Sequence, residues 1–202
     1  MRTVMMLCLP VLAVAVAGCP WVSEPKTGRL RVVHASPDAP AVDVCADGAA
    51  AFQGATFPGA TNYATLPVGT SAMRVAVAGS GCGSGGVISA DLPLARGQDL
   101  TVVALNFLSQ IEPLVLVDDN TRPGSGTARV RVVHASPNAP TVDVTLADGT
   151  TLVNNLSFKE ASGYLQVPAG TYELQIRDET GEVVVLDLGG DPALTVLVTV
   201  DN

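Results

Sequence analysis

The chain has 202 residues, room for one large or two small domains, and 48% of them are hydrophobic. Aromatics are few (four Phe, three Tyr and Trp21), so Val, Ala, Leu and Gly must build any core, which suits β-branched sheet packing. Eleven Lys and Arg against nineteen Asp and Glu give a net charge of −8 without a basic run, and that speaks against a nucleic-acid partner.

Met1-Arg2-Thr3 supplies a short positive start, and residues 4–17 form an apolar run broken by Pro10. The run is too short to cross about 30 Å of hydrocarbon as a helix, but it suits the apolar stretch of a secretory signal. It ends Val16-Ala17-Gly18-Cys19. Small residues directly before a Cys resemble the lipobox of bacterial lipoproteins, in which that Cys is acylated and becomes the mature N-terminus. The resemblance implies that residues 1–18 are removed and that Cys19 carries the lipid. It also places the protein on a membrane of the bacterial cell envelope, facing outside the cytoplasm. Two or three acyl chains at roughly 0.8 kcal/mol per buried CH₂ give a firm anchor. An ordinary signal peptide that leaves Cys19 free is the alternative. Residues 19–28, with two Pro and a Gly, are expected to be a tether.

From Arg29 the chain repeats itself. Arg29–Val44 returns as Arg129–Val144 with thirteen of sixteen positions identical, and Tyr63–Thr70 is echoed at Tyr164–Thr171. One β-rich unit is duplicated. The expected organisation is a first repeat at 29–120, a linker at 121–127 (Thr-Arg-Pro-Gly-Ser-Gly-Thr) and a second repeat at 128–202. In Arg29–His34, Leu30, Val32 and His34 share one face and Arg29 and Arg31 the other; Arg129–His134 repeats the pattern. Pro37 and Pro40 then break the pairing. A second strand at Ala41–Ala46 turns Val42 and Val44 inward and Asp43 outward, ending at the hairpin signal Asp47-Gly48. After a variable stretch come strands around Asn62–Leu66, Met73–Val77, Val87–Leu92, Leu100–Phe107 and Leu114–Val117, with a type I turn expected at Pro67-Val68-Gly69. No segment carries a sustained helical period. The fold class is all-β: two tandem antiparallel β-sandwiches of immunoglobulin-like type. Leu194-Thr-Val-Leu197 aligns with Leu100-Thr-Val-Val103, but no counterpart of Leu114–Val117 follows. The second repeat is therefore expected to be one strand short, its edge covered by the first repeat, the tether or another molecule.

Cys8 leaves with the signal. With Cys19 lipidated, Cys45 and Cys82 form an even pair in an oxidising compartment, and a disulfide is expected. Thr145 stands opposite Cys45 in the second repeat, so the bridge is an added staple; the rival reading makes Cys82, in a Gly-rich run, a reactive thiol.

His34 and His134 are the only histidines and occupy identical repeat positions. Beside Asp38 or Asp43 an imidazole could bind a metal or be oriented for catalysis. Each His nevertheless shares a face with Leu and Val just before a Pro-rich turn, where its nitrogens can satisfy turn backbone groups, and Asn138 replaces Asp38 in the second repeat. The structural role is the expectation, with no metal site. Ser36 and Ser136 precede Pro37 and Pro137, where a side-chain turn bond is the ordinary use of Ser; no nucleophile elbow is present. Asp43 and Asp143 are read as caps of nearby backbone donors. Gly79–Gly86 is read as a hairpin loop, without the Lys of a phosphate-binding loop. Asp118-Asp119-Asn120 and Asp187–Asp191 are read as solvated strand ends rather than Ca²⁺ ligands.

The segments VRVVHASPNAPTVDV and Tyr-x-x-Val-Pro-Ala-Gly-Thr-Tyr at Tyr164–Tyr172 resemble a bacterial cell-envelope domain family of unknown function, whose domains carry a His-Ala-Ser-Pro-Asp-Ala-Pro signature and often occur in tandem. The resemblance implies an extracytoplasmic β-sandwich and brings no catalytic residues and no cofactor. The functional expectation is a lipid-anchored, non-enzymatic binding or spacer module for an envelope polysaccharide or protein. The alternatives are an envelope hydrolase, or a metal-dependent adhesin or sensor using His34 and His134.

Overall fold

A computed structural model describes residues 26–83, 86–178 and 180–182. The signal segment, Cys19, most of the tether, the Asp187–Asp191 carboxylates and the C-terminal end of the second repeat lie outside the described residues.

The first repeat contains β1 (Thr27–His34), β2 (Val42–Ala46), β3 (Ala49–Ala55), β4 (Gly59–Ala60), β5 (Ala64–Pro67), β6 (Gly69–Val77), β7 (Ile88–Leu94), β8 (Asp99–Leu105) and β9 (Glu112–Asp118). They form two sheets, ordered β4-β1-β8-β9, with β5 also on β1, and β3-β2-β6-β7. Asp47 and Gly48 both take positive φ, the backbone a two-residue hairpin with strand-matched twist requires. Pro67-Val68-Gly69 carries the chain from β5 in one sheet to β6 in the other. Strands β3 and β4 arise in the stretch read from sequence as variable. β3 is a half-exposed edge strand with a register shift against β2, so no burial pressure imposes alternation on it.

One pairing departs from the antiparallel expectation. β1 and β8 run parallel, Leu30 opposite Leu100 and Val32 opposite Val102. The opposite sheet separates them along the chain, so no hairpin fixes their relative direction. Between the sheets lie Leu30, Val32, Val42, Val44, Val75, Leu92 and Leu100, all buried. At roughly 1.5–3 kcal/mol per fully buried aliphatic side chain, this layer is the main stabilising term.

The second repeat contains β10 (Thr127–Val130), β11 (Val142–Leu146), β12 (Thr151–Leu156), β13 (Leu165–Pro168) and β14 (Leu174–Arg177). Its pairings copy the first: Arg129 opposite Gln166 matches Arg29 opposite Thr65, and Val144 opposite Ile176 matches Val44 opposite Val75. Val132, Val142, Val144, Val153, Leu156 and Ile176 form its core. Thr27 and Gly28, read as tether, belong to β1, and Thr127, read as linker, belongs to β10.

The two repeats touch through a sheet face. Val33, Ala35, Val103 and Leu105 form a buried cluster on the outer side of the β1-β8-β9 sheet, with Leu114 and Leu116 packed beside them. Ala135 and Phe158 of the second repeat pack against the same cluster. That outer face is therefore apolar at its Val33 and Leu105 end, while Arg29, Arg31, Asp99 and Thr101 occupy its other end.

Cys45 and Cys82 are bonded, their Cα atoms 5.7 Å apart. Gly79 N–H also donates to Asp43 Oδ2 at 2.8 Å, so the loop after β6 is fastened to the outer face of β2 at two points. Closing 37 residues restricts the unfolded chain by roughly 3–4 kcal/mol in the chain-entropy model. The Cys45→Ser, Cys82→Ser double variant should lose about 3 kcal/mol of stability in urea unfolding. An unchanged midpoint would contradict this.

Candidate functional site

The signature histidines do the same work in both repeats. His34 is fully buried, and its Nε2 donates to the Pro40 carbonyl at 3.1 Å; His134 Nε2 donates to Pro140 at 3.0 Å. Each ring meets an aromatic edge-on, Phe57 and Phe158, with centroids 6.2 Å apart in both cases. The imidazole thus ties the end of the first strand to the far end of the Pro-rich turn that begins at Pro37 or Pro137. Ser36 is buried and its hydroxyl has no hydrogen-bond partner, so the turn bond expected of it is not made, whereas Ser136 donates to Asn138 Oδ1 at 3.3 Å. Asp43 accepts from the Gly54 and Gly79 amides at 2.8 Å each, and Asp143 from Asn155 at 2.7 Å. The sequence places Asp43 outward; it does leave the core face, but these bonds and the loop bury it. The described residues contain no group of three or more His, Cys, Asp or Glu side chains placed to hold a metal ion.

The cluster that sequence reasoning missed lies between the repeats. Arg29 and Arg31 stand on the polar face of β1, Arg129 on β10 and Arg131 directly after it, and each pair clasps one tyrosine ring. Arg29 and Arg31 lie 5.0 and 4.8 Å from the Tyr63 ring centre; Arg129 and Arg131 lie 5.0 and 4.7 Å from that of Tyr164. Asp118, at the end of β9, stands between the two sets. Its side chain is fully buried. Oδ2 accepts from Tyr63 Oη at 2.6 Å and Thr101 Oγ1 at 2.5 Å, with Arg31 Nε 3.9 Å away. Oδ1 is ion-paired with Arg131 of the other repeat, whose second nitrogen donates to the Val117 carbonyl at 2.9 Å. Asp119 continues the pattern, paired with Arg129 at 2.5 Å while its amide donates to Tyr164 Oη at 3.3 Å.

The expectation that Asp118-Asp119-Asn120 is a solvated strand end is therefore corrected. Asp118 bridges the repeats, and Asn120 Nδ2 donates to Asp99 Oδ2 at 2.7 Å. The signal available in the sequence was the recurrence of two arginines and a tyrosine at matched offsets, with a carboxylate at position 99 aligned to Ala193 in the second repeat. Arg29 uses Asp99 as its partner; Arg129 takes Asp119 instead.

Against family models, residues 28–145 and 130–201 match a domain of unknown function, DUF4397. The chain belongs to this family. A search of curated proteins finds no match. The two matched segments overlap at 130–145, within the second occurrence of the HASP segment, so the first holds both Asp118 and Arg131 and the second holds Arg131 alone.

Electrostatics in this DUF4397 pair follow from the contacts. Arg29 holds Asp99 below the usual carboxylate range, Arg129 and the Thr121 groups do the same for Asp119, and Lys159 for Glu112. Burial, and the bond to Asp118, push the Tyr63 hydroxyl from near 10 up to about 12. These groups are set to hold charges together; the hydroxyl stays a donor and the three carboxylates stay acceptors.

Two outcomes follow. Asp118→Asn leaves Arg131 buried without its counter-charge, and breaking a buried pair from one side costs about 3–5 kcal/mol. Urea unfolding should show a loss of at least about 2 kcal/mol, and a change within about 0.5 kcal/mol would contradict the bridge. Between pH 10 and about 12 the folded Tyr63 keeps a proton that the unfolded chain has released, so stability falls as pH rises through that window. Tyr63→Phe should flatten the fall relative to the parent; an unaltered slope would contradict the assignment.

Proposed function

We propose that this protein is a lipid-anchored spacer of the bacterial cell envelope, without enzymatic activity, which holds β-sandwich loops at a set distance from the membrane for an envelope polysaccharide or protein. The observation that carries the spacer reading is the buried Asp118 bridge. It turns two matched sandwiches into one body, where a flexible linker alone would let them swing. The anchor reading rests on Val16-Ala17-Gly18-Cys19 and the apolar run before it. The non-enzymatic reading rests on the signature itself. Each histidine gives Nε2 to a turn carbonyl and holds Nδ1 buried without a partner, both Asp side chains accept from backbone amides, and His34 is sealed from solvent. That loops at sandwich ends receive the ligand is an argument from fold alone.

Cell fractionation tests the anchor. Cys19→Ser should move the protein from the membrane to the soluble envelope fraction, and retention on the membrane would contradict the proposal. Titration of the folded protein with Zn²⁺ and Ca²⁺ tests the rival metal-dependent reading. No stoichiometric binding is expected, and tight binding abolished by His34→Ala and His134→Ala would overturn the structural reading of those residues.

A further inference from the structure

Both repeats carry the same bulge but fill it differently. In the first, Val42 faces Ala55 and Val44 faces Phe52, so Gln53 and Gly54 stand against Asp43 alone; in the second, Asn154 and Asn155 stand against Asp143. Gly54 and Asn155 both take positive φ, 64° and 52°, and both donate their backbone N–H to the Asp opposite. Glycine adopts this backbone freely and could make the same bond, whereas Asn, the side chain that tolerates it best, still adopts it at a cost. The Asn155 side chain does not repay that cost within the fold: among the described residues, neither its amide group nor that of Asn154 has a hydrogen-bond partner, and both are exposed. A second difference lies beside the bulge. His34 faces Gly59, where a Cβ would stand 2.5 Å from the Thr56 carbonyl oxygen, so the first repeat excludes a side chain there. The second repeat has Glu160 at that place, its carbonyl accepting from His134 N–H at 2.9 Å.

Asn154, Asn155 and Glu160 line one groove of about 540 Å³ between β12 and the segment leading into β13, together with Leu152 and Leu165. That volume lies within the roughly 300–1,000 Å³ of small-molecule sites. In the first repeat the matching residues lie on the β3 and β4-β5 edges, the side of the sandwich away from β7 and β9. We propose that this groove of the second repeat binds a neutral saccharide. Each primary amide offers one acceptor oxygen and an NH₂ donor, which matches neighbouring ring hydroxyls that both give and take hydrogen bonds. Glu160 Oε2 accepts from the Ser157 amide at 2.9 Å, which leaves Oε1 to accept from a further hydroxyl. The same carboxylate repels uronic acids and phosphorylated sugars, so the charge selects as well as binds. Leu152 and Leu165, half-buried against the second core, give apolar surface for the C–H face of a sugar ring. The inference rests on the envelope-polysaccharide part of the proposed function, and adds where the glycan is held and by which groups.

NMR titration of the ¹⁵N-labelled protein decides it, with maltotetraose and chitotetraose as neutral probes and tetragalacturonate as the anionic one. The side-chain NH₂ signals of Asn154 and Asn155 should move with a neutral probe, and Asn154→Ala combined with Asn155→Gly should weaken that binding about tenfold or more. Tetragalacturonate should bind more weakly than the neutral probes, with Glu160→Gln narrowing the difference; tighter binding of the anionic probe would overturn the proposal. Shifts confined to other loops would overturn this site and leave the polysaccharide reading standing. No shift anywhere at millimolar probe would remove both, while the Cys19→Ser fractionation reads the anchor separately. Asn155→Gly alone restores the residue of the first repeat, so its urea midpoint should equal the parent's or exceed it. A lower midpoint would assign the Asn155 side chain to the fold and overturn the proposal.

Discussion

The carboxylate of Asp118 sits between Arg31 and Arg131, the same position in two copies of one repeat, and the arrangement of the molecule follows from that contact. A buried charge is tolerated only when its partners are close and its remaining lone pairs are filled. Here Tyr63 and Thr101 fill one oxygen and Arg131 the other. Replacing such a cluster with well-packed apolar groups would stabilise a domain as well or better, so its worth lies in specificity. It fixes which face of the second repeat meets which face of the first.

The same contact explains the outer apolar side of the β1-β8-β9 sheet. Val33, Val103, Leu105 and Leu114 would be an exposed patch on an isolated first repeat. Phe158 and Ala135 cover it, and Lys159 meets Glu112 at 2.7 Å on the half-exposed rim. An apolar centre with charged surroundings is the ordinary layout of a specific protein interface, drawn here within one chain. Phe158 serves twice, packing against this cluster while its ring meets the edge of His134. The HASP turn and the contact between repeats are thereby mechanically joined.

Much of this was legible in the sequence. Alternation in Arg29–His34 separates the two faces of β1 correctly, Asp47-Gly48 marks its hairpin, and cysteine parity gives the Cys45–Cys82 bond. Each histidine meets its Pro-rich turn through Nε2 alone, where the sequence reading has both ring nitrogens free to satisfy turn groups. Other features were hidden for physical reasons. β3 is a bulged edge strand, free of the burial that imposes a period-two pattern. The parallel direction of β8 is a property of topology, not of any local residue. The arginine face was recognised as polar, but alternation does not say whether solvent or another sheet lies opposite. Two aspartates before a Pro-Gly-rich linker look the same in sequence whether they are solvated or bridged.

The central claim is that Asp118 and Arg131 couple the two repeats, and a double-mutant cycle on this pair measures it most directly. Urea unfolding of the parent, Asp118→Asn, Arg131→Met and the combined variant gives the interaction free energy. Contacting charged residues in one network should couple by about 1–3 kcal/mol, the double variant losing less than the sum of the two singles. Strict additivity, within about 0.3–0.5 kcal/mol, would contradict the account.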